Sequence, residues 1–160
     1  SCQSPGTTLS FRQGVLDRIN YFRAMAGVPD DITLNADFNA LAQRVSLMMA
    51  ASENLSHTPP STWLCYTRDG GAAAYKSNLW VSRYGADAVT GWIEDPGSVN
   101  AAAGHRRWVL HPPTRTMGTG SVRGPANQPF RTAQSPRTLP VTHAAERAAR
   151  PAAILSPSLR

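Results

Sequence analysis

Two amphipathic helical patterns run almost back to back near the start of the chain, and they constrain its architecture more than any other feature. In the first, Val15, Leu16, Ile19, Phe22 and Met25 or Ala26 recur at three- and four-residue spacing, which places them on one helix face. Arg12, Asp17, Arg18 and Arg23 then face away. Thr8 or Ser10 can cap the start, and Gly27 ahead of Val28-Pro29 ends the pattern. In the second, Asn35 or Asp37 opens a helix striped by Phe38, Leu41, Val45, Met48 and Met49. Both stripes need an apolar layer to lie against.

The remaining signals are shorter and mixed, which gives an α+β class. "SNLWVS" reads as a short strand. "GADAVTGWIED" reads as a helix through Ala88, Val89, Trp92 and Ile93, stopped by Pro96-Gly97. "RTMGTGSV" (115–122) reads as a strand weakened by Gly118 and Gly120. Residues 53–76, with their Pro-Pro and Gly-Gly pairs, read as one long loop. The next glycine after Gly120 is Gly124, one position too late for a dinucleotide-binding G-x-G-x-x-G, and no helix pattern follows. That function class is excluded.

At 160 residues the chain suits one domain. Its net charge of +6 is unevenly spread. Residues 1–122 hold ten Lys or Arg against nine Asp or Glu, whereas residues 123–160 hold six Arg and one acid, Glu146. The tail is also rich in Pro, Ala and Ser without sustained period, the composition of a disordered segment, although "THAAERAAR" could form a short helix. A basic tail permits contact with nucleic acid, but Phe130 is its only aromatic residue, so base stacking has no support there. Nucleic acid is not an expected partner.

No run approaches the roughly 18 apolar residues of a membrane span. The chain begins at Ser1 without methionine, so removal of an upstream signal peptide is expected, leaving residues 1–8 as an N-terminal extension. Cys2 and Cys65 suit one disulfide in an oxidising compartment. The alternatives are a lipid anchor at Cys2, with Cys65 free, or two unpaired thiols. Asn54-Leu55-Ser56 is a glycosylation sequon, relevant only in a eukaryotic source.

Four histidines could carry chemistry. His143 lies in the tail, and His111 precedes two prolines as a turn residue. His57 and His105 sit beside turn-like backbone, and two imidazoles converging with a carboxylate would make a divalent-metal site. Histidines satisfied by structural hydrogen bonds are the alternative, and spacing along the chain decides neither.

The order of several pieces resembles the CAP superfamily (cysteine-rich secretory proteins, antigen 5 and plant pathogenesis-related proteins), in the style of its bacterial SCP-like members. "VLDRINYFRAMAGVPDDITLNADFNALAQRVSLMMA" resembles the opening helix, its exit and the L-N-x-x-L-x-x-x-A-Q helix. "NLSHTPP" resembles the segment of the first family histidine, "SNLW" the G-E-N-L segment, "AVTGWIED" the W-x-x-E helix and "GHRRWVL" the G-H signature. The resemblance implies a three-layer α-β-α sandwich over residues 9–122 with a central, mainly antiparallel sheet. It also implies a cleft lined by two histidines and two acids, in a secreted or cell-envelope protein.

Transferred position by position, His57 and His105 match the two histidines, and Asp95 matches the acid three residues after Trp92. Glu94 is adjacent but about 100° around a helix. Ser77 in "KSNLW" stands where the fourth member, an acid, is expected, and Asn78 and Gly104 would line the same cleft. His57, His105 and Asp95 would then hold Zn2+ or another divalent cation with water in the open position. Loss of the carboxylate at Ser77 lowers the expected affinity and removes a general base. Gly104 is expected to let the backbone turn beside the cleft, with Trp108, Val109 and Leu110 anchored in the core and Arg106 and Arg107 solvated or paired with nearby acids. No strand is expected after residue 122, where family members continue their sheet, so an open sheet edge is expected.

Three function classes follow. The first is a secreted, non-enzymatic binding module for a lipid, a polysaccharide or a protein. The second is a metal-dependent peptidase or esterase using the same cleft, which Ser77 weighs against. The third is a basic-tail binder of anionic partners.

Overall fold

The computed structural model describes residues 2–124 and 130–136. Helix α1 (Leu9–Met25) starts where the Thr8 hydroxyl accepts a hydrogen bond from the Phe11 backbone N–H. It ends ahead of Gly27, whose φ of 68° suits a residue without Cβ. Strand β1 (Thr33–Leu34) leads into α2 (Ala36–Ala51), capped by Asn35. Then come α3 (Arg68–Tyr75), β2 (Asn78–Val81) and α4 (Ala86–Glu94). A short turn at Ser98–Asn100 precedes α5 (Gly104–Val109), β3 (Thr116–Arg123) and β4 (Phe130–Pro136).

The strands form one sheet in the order β1-β3-β4-β2. β4 runs antiparallel to both β2 and β3, and only the two-residue β1 pairs in parallel, with β3. Alternation along the strands sends side chains to two separate cores. On one face Met117 joins Val15 and Ile19 of α1, Val89 and Trp92 of α4, and Val109 of α5. On the other, Leu79 and Ala133 join Val45, Met48 and Met49 of α2 and Ala73 and Ala74 of α3. The result is an α-β-α sandwich. Trp92 is fully buried and donates its indole N–H to the Leu79 carbonyl, 3.1 Å away, tying α4 to the sheet.

Gly118 and Gly120 turn out to be packing requirements. A Cβ at Gly118 would collide with the backbone of Phe38, and one at Gly120 would collide with the backbone of Ala42 and Gln43. The glycines that weaken the strand locally are what lets α2 lie on it. The pairing of β3 with β1 covers only Thr116 and Met117, and beyond them α2 takes over that edge. Asn39 Oδ1 accepts from the Thr119 N–H (2.9 Å), and Gln43 Oε1 accepts from the Ser121 N–H (3.1 Å). Ser46 donates its hydroxyl proton to the Gly120 carbonyl at 2.9 Å. Asn39 and Gln43 thus satisfy edge N–H groups a neighbouring strand would otherwise pair, while Ser46 pins α2 to the strand at Gly120.

Four expectations are corrected. Residues 68–75 are helical, because Thr67 caps Gly70 and the small residues Ala73 and Ala74 pack against α2. The tail does supply a strand: β4 lies between β3 and β2, where both faces are covered, so polar-apolar alternation does not mark it. Arg23 does not face solvent but is fully buried. Met25 and Ala26, the two candidates for the end of the apolar stripe, are both exposed, Met25 at 71%. The readings of His143, of "THAAERAAR" and of disorder over 137–160 lie outside the described residues.

Buried Arg23 donates to four backbone carbonyls. Its Nε bonds Pro29 O at 2.7 Å, and Nη1 bonds Val109 O (2.9 Å) and His111 O (3.1 Å). Its Nη2 donates to Thr114 O at 3.3 Å. The planar guanidinium fork thereby ties the exit of α1 to the exit of α5. Burial, and secondarily the Arg115 charge, lower its pKa, while Asp31 and Asp30 act in the opposite direction.

Candidate functional site

A cleft of about 490 Å³ opens where the loop before α3, the start of β2 and the start of α5 meet. His57, Ser77, Asn78, Gly104 and His105 all line it, together with Tyr75, Lys76, Val99, Asn100, Ala102 and Trp108. Two histidines 48 positions apart in the sequence therefore share one cavity.

Each imidazole is held by its Nδ1. In His57, Nδ1 lies 3.0 Å from the Ala74 carbonyl at the end of α3. A carbonyl only accepts, so Nδ1 carries the proton and Nε2 is the nitrogen left for a ligand. In His105, Nδ1 lies 2.7 Å from Oδ1 of Asp95, whose side chain is 1% exposed. The carboxylate also only accepts, so Nδ1 carries a proton and Nε2 is the nitrogen left on the cleft side.

Asp95 reaches that position because it caps the end of α4. Its backbone is left-handed (φ 47°, ψ 52°), a conformation aspartate tolerates better than most side chains. The chain reverses there, and α5 begins after Ala103, also left-handed at φ 49°. Asp95 Oδ2 then accepts from the Arg106 backbone N–H at 3.3 Å. Both carboxylate oxygens are engaged, and Asp95 does not line the cleft. It lies behind the His105 ring, where a carboxylate holds an imidazole in one orientation, and not on the cleft wall.

Glu94 is likewise outside the cleft. Its carboxylate pairs with Arg83 at 2.7 Å on the surface, since neighbouring positions on a helix diverge. Ser77 lies at the cleft, but its hydroxyl donates to Ala73 O at 2.8 Å. Asn78 donates to His105 O at 3.2 Å, fastening α5 to β2. Gly104 is helical, and a Cβ there would meet nothing within 4 Å, so the positive-φ turn beside the cleft belongs to Ala103 instead.

The "GHRRWVL" segment is a short helix, and only part of it is core. Val109 is fully buried, whereas Trp108 is 37% exposed at the cleft rim. Arg106 is not merely solvated: Nε donates to Ile93 O at 2.5 Å and Nη2 to Glu94 O at 2.9 Å, satisfying carbonyls at the end of α4. Sequence reasoning missed Lys76, Tyr75, Val99 and Asn100. Lys76 could have been found, because it adjoins Ser77 at the family's acid position.

The donor set offered to a metal is thus two imidazole nitrogens, each with an orienting partner and neither joined by a carboxylate. Among the described residues no three His, Cys, Asp or Glu side chains converge as a metal site. The set falls short of a three-ligand zinc centre among the described residues.

Cys2 and Cys65 are joined in a disulfide that anchors the N-terminal segment, with Cα atoms 5.2 Å apart. Gln43 Nε2 holds the same segment through Ser4 Oγ (2.9 Å) and Pro5 O (3.2 Å). No helix among the described residues is long and apolar enough to cross a membrane.

The cysteine-rich secretory protein family model (CAP) matches residues 16–134. Two solved structures share the fold at low identity. An outer surface protein from Borrelia burgdorferi aligns with a TM-score of 0.59 and 12% identity, over 82% of this chain and 95% of that one. A crystal structure of MpPR-1i soaked with selenourea aligns with a TM-score of 0.57 and 16% identity, over 79% and 90%. No curated protein matches the chain significantly.

Proposed function

Since the chain belongs to the cysteine-rich secretory protein (CAP) family, we propose that it is a secreted binding module that holds an extracellular ligand in the His57–His105 cleft without turning it over. A lipid, a polysaccharide or a protein are the ligand classes considered. The observation that carries this reading is the chemistry of the wall: none of the described residues lining the cleft is a carboxylate. A metal-dependent peptidase or esterase needs a third protein ligand for its ion and a base for its water. Asp95 is engaged by His105 and the Arg106 N–H, Glu94 by Arg83, and the Ser77 hydroxyl by Ala73. Two imidazoles remain, which bind and orient but do not complete a hydrolytic site.

Zn2+ or another divalent cation would be held through Nε2 of His57 and His105, and would supply an electrophilic contact for a ligand oxygen. The disulfide supports an oxidising, extracellular location. It also engages the sulfur that a lipid anchor at Cys2 would require.

Calorimetric titration with Zn2+ and turnover of generic ester and peptide substrates test the reading together. The expected result is a binding heat that His57→Ala/His105→Ala abolishes, and no turnover above that double variant. Turnover by the wild type that chelation and either histidine substitution remove would overturn it in favour of the hydrolase.

A further inference from the structure

We infer that the cleft takes a polyhydroxylated organic carboxylate, the chemistry of an acidic sugar. The inference deepens the binding-module reading and rests on it. Three features of the wall converge on this class. The first is charge. Lys76 lines the cleft, and no acid among the described residues pairs with its side chain. Ser77 stands next to it, so among the described residues the cleft wall carries a cation and no carboxylate, and a ligand carboxylate supplies the counter-charge. A concave wall strengthens such an attraction relative to open surface.

The second feature is the state of the two imidazoles. The Ala74 carbonyl and the Asp95 carboxylate fix Nδ1 as the protonated nitrogen of His57 and His105. With Nδ1 so engaged, the Nε2 of a neutral ring is an acceptor, which suits a hydroxyl proton better than a carboxylate oxygen. A ligand matching both features carries its anion at one end and hydroxyl donors elsewhere. The third feature is the rim, where Tyr75 is 67% and Trp108 37% exposed. Aromatic surface beside fixed polar groups favours a ring that presents a C–H face. The volume of about 490 Å³ lies within the range of small-ligand sites.

Backbone and imidazole NMR titration of the whole chain with glucuronate, glucose and cyclohexanecarboxylate separates these features. Glucuronate is expected to shift His57, His105 and Trp108 resonances, and to bind about tenfold more tightly than either of the other two. Lys76→Ala should bring glucuronate down to the level of glucose, and Lys76→Arg should retain most of its affinity. Glucuronate no better than glucose, or unaffected by Lys76→Ala, overturns the inference, as does equal binding of cyclohexanecarboxylate. If all three fail while Zn2+ still perturbs both histidines, the acidic-sugar assignment falls and the cleft stands as a binding site. If Zn2+ also leaves the cleft unmoved, both readings fall.

Discussion

Nδ1 of His105 lies 2.7 Å from Oδ1 of Asp95, a carboxylate buried behind the ring and out of the cleft. The contact sets which imidazole nitrogen is left on the cleft side, so in the proposed site the acid would act through the histidine. Asp95→Ala should free the ring to exchange tautomers and weaken Zn2+ binding by about tenfold. Asp95→Asn keeps an acceptor and tolerates the left-handed backbone, and should preserve the Nδ1–H tautomer. Long-range ¹H–¹⁵N spectra of the His105 ring report this directly: one tautomer in wild type and Asn, a mixture in Ala. An unchanged tautomer in the Ala variant would remove the orienting role.

Arg23 serves carbonyls from separate segments with one guanidinium. Arg23→Ala takes a donor from each of the Pro29, Val109, His111 and Thr114 carbonyls and should cost about 3–5 kcal/mol, read by urea denaturation. Arg23→Lys should recover only part of that, because a single ammonium cannot span the same fork. Full recovery by Lys would show that charge, and not geometry, matters at this position.

Two glycines should respond in opposite directions. Gly118→Ala places a Cβ against the Phe38 backbone, which cannot move without lifting α2, and should destabilise by about 3 kcal/mol or more. Gly104→Ala puts a methyl into open space on a helix and should stabilise by roughly 0.5–1 kcal/mol. Thermal denaturation of the two variants side by side checks both signs.

Reduction or Cys2→Ser/Cys65→Ser opens a loop closed across 63 residues, which chain entropy values at about 4 kcal/mol. The same change should loosen the segment that Gln43 holds beside β3. Hydrogen exchange at the Ser121 amide, bonded to Gln43 Oε1, should therefore accelerate more than exchange at the Phe11 amide in the α1 cap. Equal acceleration at the two would mean that the disulfide acts on global stability alone.

Much of the architecture was legible because it follows from local pattern. The α1 and α2 stripes, the Asn35 cap, the Gly27 stop, β2 and β3 are set by side-chain periodicity and backbone preference within a few residues. The family resemblance placed His57 and His105 at one cleft by their order in the chain. α3 was hidden by a Gly-Gly pair whose helix is held by packing on α2, and β4 by burial on both faces.

What residues within one turn of each other decide, the sequence determined for α1, α2, α4, β2 and β3: their type, their approximate ends and most of their apolar face. Tertiary structure alone decided what each polar group meets. Arg23 looks like a surface arginine until four carbonyls from distant segments surround it. Asp95 looks like a cleft residue until the reversal after α4 turns it behind His105, and Lys76 looks like an ordinary surface lysine until the fold puts it on the cleft wall. The reason is physical: periodicity records only whether a side chain leaves water, whereas a hydrogen bond depends on direction and partner, and those exist only once remote segments are packed together.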